Sequence, residues 1–318
     1  MNTYKWLLKR EFWEHKGGFF WTPAVVGALM TLGTGASVIA ALAMKSQHGF
    51  QINGQQVGKL SEVVSPAEQA QAVDAFSNAW MLPSAMLFGV MAIVVFFFCL
   101  GCLFDERKDR SVLFWKSLPV SDSETVLSKA MMALVGAPLL TYVFAVATSL
   151  LALLIICIGA AISGLNLFGA VLASPAVYTA PFLVLGMVPV YVVWALPTVG
   201  WLMMVSSWAR TKVFLWAVGV PVLTGVLISW FNAMFDFNWN VEWFWHNIVA
   251  RGLLSVVPGA WFGFVDPPGG MDNNHIDFGF LVAQSWKTLA SAHAAIGAVL
   301  GAAMIYVAAR LRRWKDEG

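Results

Sequence analysis

The residues that could carry chemistry in this chain are few. A phosphate loop needs a run GxxxxGK[ST], in which backbone amides cradle the phosphates and the lysine neutralises them. Here Gly58-Lys59 is followed by Leu60, and no such run occurs. Cys99 and Cys102 form a CxxC, but Leu100 and Gly101 stand between them inside an uncharged apolar run. A thiolate pair needs an electropositive, accessible setting, so these thiols read as small packing residues, as does Cys157. The five histidines show no HExxH or paired spacing, and His293, alone in an apolar segment, reads as a polar packing residue. No Ser, His and Asp grouping carries a signature. Catalytic, cofactor and metal residues are therefore expected to be absent, with dispersed residues of a membrane-embedded hydrolase the open alternative.

The elements that would position any chemistry are set by composition. Of 318 residues 59% are apolar and only 11% charged, where soluble domains carry about 25% charge. That excludes a soluble enzyme, a disulfide scaffold and a disordered chain, and leaves an all-α polytopic membrane protein. Six stretches free of Asp, Glu, Lys and Arg run from Phe19 to Ala43, Met81 to Phe104, Ala130 to Ser163, Ala180 to Ala209, Val213 to Phe235 and Thr288 to Ala309. Each reaches the roughly 20 residues a spanning helix needs. The first is too long for a signal-peptide core and is expected to be retained, despite Ala41-Leu42-Ala43. Strict alternation collects 15 of the 19 basic residues on one side. By the positive-inside rule both termini are cytoplasmic, and 1–318 is one membrane domain with no soluble domain attached. The basic residues are explained by topology, so no nucleic-acid partner is expected.

Local patterns refine this plan. In residues 1–18, Tyr4, Leu7, Leu8 and Phe12 share one side of a helix and Lys5, Lys9 and Lys16 the other, which predicts an amphipathic helix in the lipid headgroup plane. Pro189 and Pro197 lie inside the fourth span and should kink it, while Pro181 can sit in a first turn. In the last span Ala290, Ala294, Gly297 and Gly301 recur at spacings of four, three and four. Such a stripe of small residues predicts close helix packing, within one chain or between two.

The most distinctive stretch is 105–129. It opens with Asp105-Glu106-Arg107-Lys108-Asp109-Arg110, continues with an apolar cluster at Leu113, Phe114, Trp115 and Leu118, and stops at Pro119. Ser121 and Glu124 then have capping-box spacing, which predicts a new helix leading into the third span. A short surface helix, a break and a capped entry follow.

This stretch resembles the first cytoplasmic loop of the permeases of type-2 ATP-binding cassette (ABC) exporters. Glu106 matches the glutamate that leads the charged run, the segment from Leu113 to Leu118 the short amphipathic helix, Pro119-Val120-Ser121 the turn, and Lys129 the lysine of the next helix. Arg110-Ser111 departs from the Gly-Thr found in many members. The resemblance extends to the six-span plan, the interfacial N-terminal helix and the long outer segment at 236–287. It implies a cytoplasmic coupling helix between spans two and three, whose Glu106, Arg107, Arg110, Leu113, Phe114, Trp115 and Leu118 meet a separate ATPase. It also implies re-entrant helices before span six, in a segment where Trp230, Phe231, Phe235, Phe237, Trp239, Trp243, Phe244 and Trp245 otherwise read as an aromatic girdle.

The expectation that follows is a transport subunit, not an enzyme, in a bacterial inner membrane. It would work with two ATP-binding subunits that hold ATP and Mg, with a second permease chain as a homodimer, and with membrane lipid. A membrane-embedded enzyme and a non-transporting scaffold or sensor are the alternatives. The transported substrate is not named by any residue, although uncharged spans suit a lipophilic or amphipathic compound, or a peptide.

Overall fold

The computed structural model describes residues 3–48, 50–52, 55–57, 65–109, 120–265 and 278–315. Six helical stretches are long and apolar enough to cross a membrane: Gly17–Met44, Pro66–Lys108, Asp122–Ile162, Pro175–Trp208, Leu215–Phe235 and Ala292–Trp314. We number them as spans 1 to 6. The chain is thus a helical, multi-pass membrane protein, with one small addition in the 44–80 segment. There Phe50–Ile52 and Gln55–Val57 pair as an antiparallel hairpin. A helix not foreseen from the sequence, Pro66–Ala79, forms the first part of span 2, ahead of Ser84–Gly101, with Ser65 and Glu68 closing a reciprocal capping box at its start.

Three of the spans share a device. Spans 1 and 5 open with a π-helical turn, at Gly17–Trp21 and Leu215–Gly219, and span 3 has one at Met132–Gly136, after its first helix Asp122–Met131. Each turn is followed one residue later by a proline: Pro23, Pro138 and Pro221. A proline ring collides with the carbonyl four residues back and offers no N–H to it. The wide turn relieves that collision, and the preceding residue donates five residues back: Thr22 to Gly17, Ala137 to Met132 and Val220 to Leu215.

Span 4 is the centre of the molecule. Val190, Tyr191, Trp194, Val199, Leu202 and Met203 are buried on different sides of it, as expected of a helix that is apolar all round. The kink anticipated in this span is a break at Met187, between Pro175–Gly186 and Val188–Trp208, so that Pro189 falls in the first turn of the second helix. Pro197 is tolerated inside it and buried.

Span 6 packs directly on span 4. Gly200 and Gly301 face one another so closely that a Cβ at Gly200 would stand 3.0 Å from Gly301 Cα, and one at Gly301 would overlap the Leu196 backbone. The small-residue stripe therefore serves contact within the chain. Its first member is a correction: Ala290 is exposed in a turn, because the helix begins at Ala292, with Ser291 Oγ accepting from Ala294 N at 3.2 Å. The stripe continues instead through Ala294 and Gly297 to Gly301, Ala308 and Arg312, all five of them buried. Spans 1 and 5 lie at the periphery, with Leu29, Leu32 and Ile39 exposed on one and Leu223, Trp230 and Met234 on the other, the faces a bilayer would cover.

Candidate functional site

Four segments far apart in sequence meet at the end of the bundle that carries both termini. The N-terminal helix, Thr3–Glu14, turns Tyr4, Leu7, Leu8 and Glu11 toward the protein and leaves Trp6 and Trp13 exposed. Glu11 thus lies on the apolar side of this helix, one turn beyond Leu7, and is fully buried. Burial alone would push its carboxyl up. The charges and hydrogen bonds of Lys129 and Arg10 outweigh that and hold it below the usual carboxylate range.

Lys129, near the start of span 3, is the hub. Its side chain is 1% exposed, and Nζ lies 2.8 Å from Glu11 Oε2 and 3.0 Å from Glu106 Oε1. The second carboxylate oxygen of Glu106 pairs with Arg312 Nη1 at 3.0 Å, and Arg312 Nε lies 3.1 Å from Asp122 Oδ1. Arg10 pairs with Glu11 and stands 3.5 Å from Glu106. Three cations and three carboxylates therefore meet, with Glu14 a more exposed fourth carboxylate 3.6 Å from Arg10 Nε, linking the N-terminal helix, the end of span 2, the start of span 3 and the end of span 6. Buried charges persist only when paired in this way.

Span 4 is tied to the same end through backbone groups. Ser206 Oγ accepts from Leu103 N at 3.2 Å and Phe104 N at 3.1 Å. Arg107 donates to the carbonyl oxygens of Ser206 and Ala209, the latter at 3.0 Å, where the last carbonyls of a helix lack intrahelical partners and favour a cation. The capping box at the start of span 3 is formed: Glu124 N donates to Ser121 Oγ at 3.2 Å and Ser121 N to Glu124 Oε2 at 3.0 Å.

Of the seven residues expected to meet an ATPase, Glu106 and Arg107 belong to this network and face their own protein. Arg110, Leu113, Phe114, Trp115 and Leu118 lie outside the described residues. Sequence reasoning missed Arg10, Glu11, Asp122, Ser206 and Arg312. Two signals were present: a lone carboxylate among Leu7, Leu8 and Phe12, and an arginine that prolongs the stripe of Gly301 and Ala308. Glu11, Glu14 and His15 also bring potential ligand atoms within 4.8 Å of one another. Glu11 is already neutralised by two cations, so this trio belongs to the ion network.

The opposite end holds a further buried cation. Arg251, expected in an outer loop, is only 8% exposed. It belongs to a helical segment, 241–254, that folds back against spans 4 and 6. Its guanidinium sits 4.9 Å from the Trp194 ring centroid and 5.6 Å from that of Phe264, and it donates to the His293 carbonyl. Gly297 leaves the room it needs, since a Cβ there would overlap the guanidinium. Several tryptophans fasten this region: Trp194 Nε1 donates to Thr288 Oγ1, Trp261 Nε1 to Ser285 Oγ and Trp245 Nε1 to Ser229 Oγ, each at 3.0 Å. Phe231, Phe235, Phe237 and Trp239 form an exposed column, with successive ring centroids 6.0, 5.6 and 4.9 Å apart. No protein-family model matches this chain, and neither does any curated protein or solved structure.

Proposed function

We propose that this chain is the membrane-spanning permease subunit of an ABC exporter and is driven by a separately encoded ATPase. The observation that carries this reading is the convergence of four elements on Glu106 and Lys129. Residues 110–119 connect Glu106 to the capped start of span 3, so a force on that connection reaches spans 2 and 3 through the backbone. It reaches the N-terminal helix and span 6 through the ion pairs, and span 4 through Arg107. Salt-bridged, close-packed ends move as bodies rather than deform. A chain with no phosphate loop can take up the energy of ATP hydrolysis at such a place.

In this reading the termini and residues 105–129 are cytoplasmic, the N-terminal helix lies at the membrane surface, and 113–118 is the segment that couples to the ATPase. The segment 241–263 enters the membrane from the outside and returns, beneath an outer gate. Two copies of the chain form the path, two ATPase subunits bind ATP and Mg beneath them, and closure of the ATPases alternates access in a bacterial inner membrane. Leu113, Phe114 and Trp115 seat in a groove of the ATPase, where truncating an aromatic anchor costs about 2 kcal/mol or more.

The test is a Phe114→Ala, Trp115→Ala chain, in which every residue of the ion network is kept. It should insert and accumulate like the parent yet copurify with less ATPase and lose substrate-stimulated ATP hydrolysis in reconstituted membranes. Parent levels of both would refute the assignment.

A further inference from the structure

A groove of about 620 Å3 lies at the end of the bundle that carries the termini, between the start of span 3 and the end of span 6. Ser121, Asp122 and Ser123 form one wall, and Tyr306, Arg310 and Arg313 the other. The outward face of span 6 leads into it. Ile296, Val299, Leu300 and Val307 recur at helical spacing and are all exposed, and the same face continues into Arg310 and Trp314, exposed as well. In a multi-pass chain such an apolar stripe is covered by acyl chains, and a tryptophan at its end marks the level of the headgroups.

The charges of the groove do not cancel. Its one carboxylate, Asp122, is held by Arg312 Nε at 3.1 Å. Arg310 and Arg313 are exposed, and among the described residues no carboxylate pairs with either. Arg310 is also oriented: its Nε donates to Tyr306 Oη at 2.8 Å, and the guanidinium carbon stands 5.3 Å from the Tyr306 ring centroid. With Nε engaged, the two Nη groups remain as a fork, the geometry that takes two oxygens of one phosphate. Tyr306 Oη accepts the arginine bond and keeps its own proton to donate. Arg313 follows three residues later on neighbouring helix surface, so both cations reach one anion.

We propose that this groove binds the headgroup of an anionic phospholipid, with Arg310 and Arg313 on its phosphate and the acyl chains along the face of Ile296, Val299, Leu300 and Val307. A zwitterionic headgroup brings an ammonium beside the same two cations and is disfavoured. A water-soluble phosphate lacks the chains that this face would cover. The site needs only a multi-pass chain, and it stands or falls apart from the ATPase-coupled reading.

The experiment titrates the purified full chain in detergent micelles with dioleoyl phosphatidylglycerol and, separately, with dioleoyl phosphatidylcholine, and counts bound lipids by native mass spectrometry. The parent should bind its first phosphatidylglycerol more tightly than any phosphatidylcholine. One basic residue beside an anionic lipid is worth about fivefold in affinity, so Arg310→Gln, Arg313→Gln should weaken that first phosphatidylglycerol by about thirtyfold. Lys5→Gln, Lys9→Gln removes two exposed charges from the N-terminal helix at the same end and should leave the affinity near the parent value. Both arginines are exposed, so the chain should fold without them; if the double variant fails to accumulate, Arg313→Gln alone is read, with an expected loss of about fivefold. Equal losses in the two double variants would overturn the proposal, as the pattern of diffuse attraction to a basic surface. So would equal binding of the two lipids by the parent, or glycerol phosphate binding as tightly as the lipid, the outcome for a soluble phosphate ligand.

Discussion

Replacing Lys129 by methionine keeps most of the side-chain length and removes the charge from the hub of the network. Lys129 Nζ faces Glu11 at 2.8 Å and Glu106 at 3.0 Å. At an effective dielectric of about 20, each contact represents roughly 6 kcal/mol of attraction before desolvation is subtracted. Most of that is offset by the cost of burying the ions, so the pair's net worth is much smaller. Removal of one partner is another matter, because it strands the others: breaking a buried pair costs about 3–5 kcal/mol. Here Glu11 retains Arg10 and Glu106 retains Arg312, which places the expected loss near the lower end, about 3 kcal/mol. The assay is reversible unfolding in mixed detergent micelles, followed by tryptophan fluorescence. A Glu11→Gln, Lys129→Met chain should be more stable than the sum of the two single losses predicts, by about 1 kcal/mol or more, because the two changes remove opposite ends of the same buried contact. A Lys129→Met chain within about 1 kcal/mol of the parent, or strict additivity in the double variant, would refute the claim that this cluster acts as one unit.

Acid should expose the same network. The Glu11 carboxyl is held below its ordinary value in the folded state, so its contribution is fully present above the unfolded value of about 4.3 and is lost as pH falls through the lowered folded value. The stability difference between the parent and Glu11→Gln should hold steady from neutral pH to about 4.3 and shrink below it; a difference that grows on acidification contradicts the sign. Gly301→Leu drives a side chain into the Leu196 backbone and should cost about 3 kcal/mol or more, seen as loss of the monodisperse peak on size-exclusion chromatography, whereas a fully assembled Gly301→Leu chain would disprove direct packing of span 6 on span 4. A cysteine at Gln55 should react with a membrane-impermeant maleimide added to intact cells, and labelling only after the inner side is opened would invert the proposed topology.

Much of the architecture was legible in the sequence, because a bilayer demands long uncharged runs and the chain writes them plainly. The six spans, the break in span 4 near Pro189, the Ser121–Glu124 capping box and the closeness of Gly297 and Gly301 to other elements all rest on local or periodic patterns. What the sequence could not reveal is which distant residues share a buried place. Glu11 looks like one more charge on a basic helix until that helix docks, and then it is sealed against a lysine 118 positions away. Arg312 reads as a positive flank, Arg251 as a loop cation and Gly297 as a helix-packing glycine. In the folded chain the first joins Glu106 to Asp122, and the other two make a single arrangement in which the missing Cβ leaves space for a guanidinium. Hydropathy and capping act over a few residues of chain, and sequence records them; ion pairing, void volume and hydrogen-bond satisfaction depend on distances between segments, which only the packing of the helices decides.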